Sequence, residues 1–267
     1  MKNFYNREFE NIDTPEKAYV LGLWYADGFV SYNKEKYKSF SSVKLHIRDL
    51  ELLEKIKNNF NFFYIETPKN TNVCILRCNL KLFVNDLINN GIYSNKSGIN
   101  KDLLKFPNID FSLYSHFIRG YFDGDGSIYF MNPNGTTNKG FTFTGNNYKF
   151  IKKLQEVLWN EGIYMKLNFK RGGESTIREQ KIIFKSLTFN LISQNQTIIK
   201  KAFKYLYKNS SIHLERKYIK FNTWEIKKIK TSPKCPFCKS DKTQWQIKNK
   251  YIICRNCKKY SKITALL

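Results

Sequence analysis

The sequence predicts an α+β protein made of two pseudo-symmetric halves and a small cysteine-bearing C-terminal module. Three observations predict it. A nine-residue segment recurs 98 positions later, as VLGLWYADG at 20–28 and IRGYFDGDG at 118–126. After each copy, stretches of helical spacing alternate with stretches in which polar and apolar residues alternate. Two Cys-x-x-Cys pairs close the chain, at Cys235/Cys238 and Cys254/Cys257.

Each copy of the repeated segment reads as the end of a helix. Gly22 and Ala26 are four apart, as are Gly120 and Gly124, so each pair shares one helix face. Small residues at that spacing let a second helix approach closely. Glycine inside a helix costs about 0.8–1 kcal/mol relative to alanine, so a compensating contact is expected, and the simplest is between the two copies. Residues 13–16 (Asp-Thr-Pro-Glu) supply helix-start chemistry, with a capping box and an early proline. Asp110 or Ser112 is placed to cap the second helix. Gly28 and Gly126, following aspartates, suit left-handed C-caps.

Residues 29–38 and 41–48 alternate across a short turn and predict a hairpin. A helix is expected over 49–56, a second hairpin over about 62–78, and a helix near 80–90 ending at Gly91. The second half runs in parallel: strands near 127–131 and 140–145, a helix over 147–161, strands near 164–170 and 181–191, and a helix near 197–207. Each half is therefore αββαββα with a four-stranded antiparallel sheet. Such a sheet packs one face under helices and leaves the other solvated. Lys34, Lys36, Lys38, Lys44, His46 and Arg48 are candidates for the solvated face of the first half. Lys139, Lys166, Lys170, Arg171 and Lys185 are candidates in the second. A two-stranded ribbon fits the DNA major groove. Cys74 and Cys78, four apart in a strand-like run, are expected in the core.

Asp27 and Asp125 fall at helix C-termini, facing the negative end of the helix dipole. If the helices pair, the carboxylates also face each other. Both effects are unfavourable without a cation, and oxygen ligands beside a phosphate suit Mg²⁺. Such an ion activates water and stabilises the leaving oxygen in phosphodiester cleavage. The net charge of +24 points to a polyanion, with nucleic acid first. No apolar run is long enough for a membrane span, and an anionic membrane surface is the lesser competitor because no basic amphipathic helix stands out, so no membrane partner is expected. Residues 1–8 lack the apolar stretch of a signal peptide, and a cytoplasmic location is expected.

Residues 231–234 (Thr-Ser-Pro-Lys) read as a linker. Cys235, Cys238, Cys254 and Cys257 have the spacing of a four-cysteine zinc site, since a redox pair leaves the second pair unexplained. Residues 244–254 read as a hairpin, which makes the module zinc-ribbon-like. Residues 222–267 carry 12 basic and two acidic side chains, interleaved with Trp245, Tyr251 and Tyr260, as suits an auxiliary DNA grip. The expected domains are 1–108, 109–226 and 227–267.

The paired nonapeptides resemble the LAGLIDADG motif, and residues 12–221 are similar to the two-repeat, single-chain LAGLIDADG homing endonucleases. Tyr25 departs from the motif, whereas Asp123 holds the matching place in the second copy and reads as structural. The resemblance implies a monomer whose sheets form a saddle over double-stranded DNA. It implies cutting of both strands across the minor groove, typically at the insertion point of an intron or of a free-standing mobile element. Asp27 and Asp125, with the backbone carbonyls of Ala26 and Gly124, would hold the metals. Lys96 and Lys217, each just after the last helix of its half, match where the family places a basic residue beside each metal site, a sound position for stabilising a developing oxyanion. The family also includes maturases that bind intron RNA and regulators that bind DNA without cutting it. Intact Asp27 and Asp125 argue against the regulator and leave the maturase open.

Overall fold

The computed structural model describes residues 7–33, 38–94, 103–131, 138–170, 173–177, 180–184, 187–223, 237–240, 243–246, 251–254, 256–257 and 260–262. The chain forms two compact units, Met1–Trp224 and Glu225–Leu267.

In the first unit the order αββαββα occurs twice, the second time with two strands and a final helix added. The first repeat is α1 (Pro15–Asp27), β1 (Gly28–Asn33), β2 (Lys38–His46), α2 (Leu50–Asn59), β3 (Tyr64–Glu66), β4 (Val73–Cys78) and α3 (Lys81–Asn89). The second opens with α4 (Tyr114–Asp125), β5 (Gly126–Phe130), β6 (Lys139–Gly145), α5 (Tyr148–Asn160) and β7 (Lys166–Lys170). It continues with β8 (Gly173–Ile177), β9 (Gln180–Phe184), β10 (Thr188–Ser193), α6 (Gln196–Tyr207) and α7 (Glu215–Asn222). The sheets have orders β1-β2-β4-β3 and β5-β6-β10-β7, all antiparallel.

α1 and α4 are central. Every residue from Ala18 to Tyr25 is buried, as is every residue from Phe117 to Asp123. Thr14 caps α1, its Oγ1 accepting from Lys17 N at 3.3 Å, with Pro15 opening the helix. Lys17, not Glu16, stands three residues after the cap, so no capping box forms; Lys17 pairs instead with Asp13 at 2.7 Å. Asp110 caps the short 3-10 turn Phe111–Leu113 that leads into α4, accepting from Ser112 N at 2.8 Å.

Gly28 and Gly126 do not adopt the expected left-handed cap. Both are extended, with φ of −70° and −87°, and open β1 and β5. Glycine is required there by close approach: a Cβ on Gly28 would lie 2.5 Å from Trp24 O, and one on Gly126 2.6 Å from Phe122 O. The chain turns directly from helix into strand, with no room for a side chain.

Register decides which face of each sheet is buried. In the first sheet Val30, Val43, Cys74, Leu76 and Cys78 point into the core. Trp24 joins this core, and its Nε1 donates to Ser41 Oγ at 2.5 Å, so the buried indole N–H is satisfied. In the second sheet Ile128, Phe141, Phe143 and Leu191 point inward. Cys74 and Cys78 are core residues as expected, and burial pushes the Cys78 thiol up to about 12.

Two features depart from the sequence expectations. The segment expected as one strand over 181–191 is two, because β9 pairs with β8 in a separate two-stranded sheet and only β10 joins the larger sheet. A further helix, α7, also follows α6. The second unit contains an antiparallel three-stranded sheet of β11 (Thr243–Gln246), β12 (Tyr251–Cys254) and β13 (Tyr260–Lys262). Among the described residues no helix is long and apolar enough to cross a membrane.

Candidate functional site at the base of the helix pair

α1 and α4 meet backbone to backbone. A Cβ on Gly22 would overlap Phe117 O and lie 2.8 Å from Tyr121 N. A Cβ on Gly120 would overlap Tyr19 O and lie 2.9 Å from Leu23 N. Phe117 and Tyr121 stand 98 residues after Tyr19 and Leu23, so the two contacts are counterparts across a pseudo-two-fold axis. Lower down, a Cβ on Gly124 would overlap that of Ala26 and lie 2.9 Å from Asp27 Oδ2. At the ends of the helices Asp27 and Asp125 are both exposed, each between a part-buried small residue and a buried glycine.

Both carboxylates act on Tyr121. Its hydroxyl is buried and donates to Thr144 O at 2.8 Å. Burial raises the phenol well above its ordinary range, and the charges of Asp125 and Asp27 raise it further. Asp27 lies against Gly124, the residue before Asp125, so the two acids share one locality beneath the helix pair. Lys217 shares it too. Its Nζ donates to Phe122 O, Asp123 O and Gly126 O at 2.7 Å and to Gly124 O at 3.2 Å. An ammonium there satisfies the last carbonyls of α4 and complements the helix dipole. Burial lowers Lys217 to about 8, against the attraction of Asp123, Asp27 and Asp125. Lys217 thus stands beside the second acid, but from within α7 rather than beyond the last helix. Lys96 lies outside the described residues.

Asp123 holds α7 in place. Fully buried, it accepts from Tyr19 Oη and Leu214 N at 2.8 Å and from Tyr207 Oη at 3.4 Å. Burial raises its carboxyl to about 6, opposed first by Lys217 and then by these hydrogen bonds. Its counterpart Tyr25 directs its hydroxyl at Asn90 O (2.7 Å) and Lys105 O (3.0 Å).

The solvated sheet faces carry some of the expected cations. Lys44 and His46 are exposed on the outer face of the first sheet. Arg77, paired with Ser42, shares that face, bridging Glu66 at 3.0 Å and lying over the Phe40 ring. Arg48 is exposed but lies past the strand, in the 3-10 turn Ile47–Asp49. Lys38 opens β2, while Lys34, Lys36, Arg171 and Lys185 lie outside the described residues. In the second sheet Lys166 and Lys170 are exposed along β7.

Lys139 corrects the sequence reading. It shares the parity of Phe141 and Phe143, so it points inward, fully buried, and its Nζ donates to Phe221 O at 2.5 Å. It is an internal strut. Besides Lys166 and Lys170, the outer positions of that sheet include Ser127, Thr142, Thr144, Asn168 and Asn190, with Thr144 Oγ1 donating to Asn190 Oδ1 at 2.8 Å. Counting charges overlooks these residues, although the alternation of Phe141 and Phe143 with Thr142 and Thr144 marks them.

In the second unit Cys238, Cys254 and Cys257 bring their Sγ atoms within 4.8 Å of one another. Asn256 Nδ2 donates to Cys238 Sγ at 3.8 Å. Cys235 lies outside the described residues.

Residues 112–214 match the LAGLIDADG-like domain family. Among solved structures, the chain is similar to the meganuclease I-SmaMI bound to uncleaveable DNA. There the identity is 15%, the match covers 80% of this chain and 89% of that one, and the TM-score is 0.50. The LAGLIDADG homing endonuclease I-GzeII in complex with its DNA target matches at 18% identity, 79% and 88% coverage and a TM-score of 0.48. The LAGLIDADG meganuclease I-AabMI bound to uncleaved DNA matches at 15% identity, 78% and 88% coverage and a TM-score of 0.46. The fold is α+β, with two four-stranded antiparallel sheets, and is shared with the I-SmaMI meganuclease.

Proposed function

We propose that this protein is a site-specific endonuclease that cuts both strands of duplex DNA with divalent metal. The observation that carries this reading is the contact of Asp27 with Gly124, the residue before Asp125, at the base of a glycine-packed helix pair, with the ammonium of Lys217 on the carbonyls of Gly124 and Gly126 that flank Asp125. Two carboxylates and the carbonyls of Ala26 and Gly124 are a hard oxygen set at helix ends already rich in negative potential, which fits Mg²⁺. When bound, such ions supply an activated water and charge stabilisation at the leaving oxygen. The chain's own residues do the rest. Lys217 holds the Gly124 carbonyl and places a cation beside Asp125, and Lys96 is its counterpart in the first repeat. Lys44, His46, Arg48, Arg77, Lys166 and Lys170, with the threonine and asparagine side chains of the second sheet, bind the duplex as a monomer. The DNA-bound state of I-SmaMI supports the choice of partner.

Residues 1–108 and 109–226 act as the two repeats, and 227–267 form a zinc-binding module that lengthens the grip on DNA. Three thiols within 4.8 Å of one another fit a tetrahedral thiolate site, with Cys235 as the fourth ligand. Metal analysis of the purified chain is expected to find one zinc per molecule, lost in Cys254→Ser.

The function is tested by incubating the uninterrupted host locus, as a plasmid library, with wild type, Asp27→Asn and Asp125→Asn in Mg²⁺. Site-specific double-strand cuts by wild type are expected, abolished in both variants with DNA binding retained. Tight binding with no cut in Mg²⁺ or Mn²⁺ would overturn the reading in favour of an RNA maturase or a non-cleaving regulator.

A further inference from the structure

The second repeat has an element without a counterpart in the first. Eight residues, 67–74, separate the paired Glu66 and Ile75, whereas 17 residues, 171–187, separate the paired Lys170 and Thr188. Within the longer connection β8 and β9 form their own ladder, from Gly173↔Phe184 to Ile177↔Gln180. β8 begins three residues after Lys170, a span of at most about 10 Å, so the ribbon continues from the edge of the sheet. Two residues on one strand and three on the other lie between the two ladders, a frame change of one residue. Among the described residues the ribbon pairs only with itself, and an isolated two-stranded ribbon is marginal in water.

We infer that this ribbon is a DNA-reading arm that makes the target site asymmetric, with the half-site under the second repeat longer than that under the first. The inference rests on the nuclease reading. The connection 171–187 carries four basic and two acidic side chains, against one basic and no acidic side chain in the corresponding connection 67–74. The major groove admits a two-stranded ribbon. The five residues of β8, at about 3.3 Å each, span ~17 Å. At ~3.4 Å per base pair, that is about five further pairs.

The full chain is used to select bound sequences from a pool of fully randomised duplexes, and the specified length on each side of the centre is read. Wild type is expected to specify a longer arm on one side. A variant with 171–187 replaced by a copy of 67–74 is expected to shorten that arm to match the other, leaving the centre unchanged. Lys181→Gln, which leaves the backbone ladder intact, is expected to lower the slope of log affinity against log salt by about 1. Equal arms in wild type, or a long arm that survives the exchange together with an unchanged salt slope, would overturn the inference while leaving the nuclease reading standing. A wild type that selects and cuts no duplex ends both.

Discussion

In the first repeat Gly22 lies against Phe117 O, and in the second Gly120 lies against Tyr19 O, with the same atoms meeting at the same positions of each helix. Away from that contact the repeats part company. Ala18 and Leu21 of α1 correspond to His116 and Arg119 of α4. Arg119 is fully buried, donating through Nε to Ile212 O and through Nη1 to Leu206 O, both at 2.9 Å, with its guanidinium over the Tyr19 ring. Tyr25 corresponds to Asp123, and a short turn corresponds to the β8–β9 ribbon. Near the pseudo-axis Gly124 meets its own counterpart Ala26, and Gly22 and Gly120 meet matching backbone atoms of the opposite helix, so a change in one copy meets the other at once. Residues off the axis face different neighbours and have diverged with them.

The comparison is broken most severely at the axis. Gly22→Val and Gly120→Val are each expected to cost more than about 4 kcal/mol, because the new Cβ overlaps a backbone carbonyl that cannot move alone. Even alanine at either site is expected to destabilise, reversing the gain of about 1 kcal/mol that a helix normally makes from this exchange. Urea midpoints of the four variants test both points. A pair of midpoints that differ widely between repeats would break the symmetry argument.

A smaller effect separates Asp123 from Tyr25. Asp123→Ala leaves the buried Tyr19 hydroxyl and Leu214 N–H without their acceptor, at about 3 kcal/mol. Tyr25→Phe removes one shared hydroxyl, at about 1 kcal/mol. Chemical denaturation that ranked these two in the opposite order would show that the Asp123 network does not anchor α7.

The smallest expected effect is a pH slope carried by the second repeat alone. Burial, and then Arg119, whose Nη1 is 2.9 Å from Nδ1, hold His116 down at about 4 from an ordinary 6.5, against the pull of Glu16. Folding therefore favours the neutral ring. Its contribution is full above pH 6.5 and is lost as pH falls towards 4. His116→Gln should flatten stability over that window by about 1 kcal/mol, since the half-exposed ring is partly screened. Its counterpart Ala18 has nothing to titrate. Denaturation curves for both proteins at pH 7, 5.5 and 4 measure the difference.

Much of this was legible in the sequence. The spacing of Gly22, Ala26, Gly120 and Gly124 encodes the helix pair, because only small side chains permit that contact. Asp27 and Asp125 follow from the same repeat, and the strand alternation encodes the two sheets. The cysteine spacing brings Cys238, Cys254 and Cys257 together. These signals are local: each depends on a few residues and one periodicity.

What only the tertiary structure decided depends on distant partners. Lys139 resembles any surface lysine until its parity with Phe141 and the carbonyl of Phe221, 82 residues away, turn it inward. Asp123 becomes an anchor only where Tyr19, Tyr207 and Leu214 converge on it. Lys217 becomes a cap for α4 only when α7 folds back beneath that helix. The glycines at 28 and 126 are required because backbone and side-chain atoms of Trp24 and Phe122 fill the space a Cβ would take. Periodicity along the chain specifies which face of an element is buried, but the partner that buries it is set by long-range packing, which no short stretch of sequence contains.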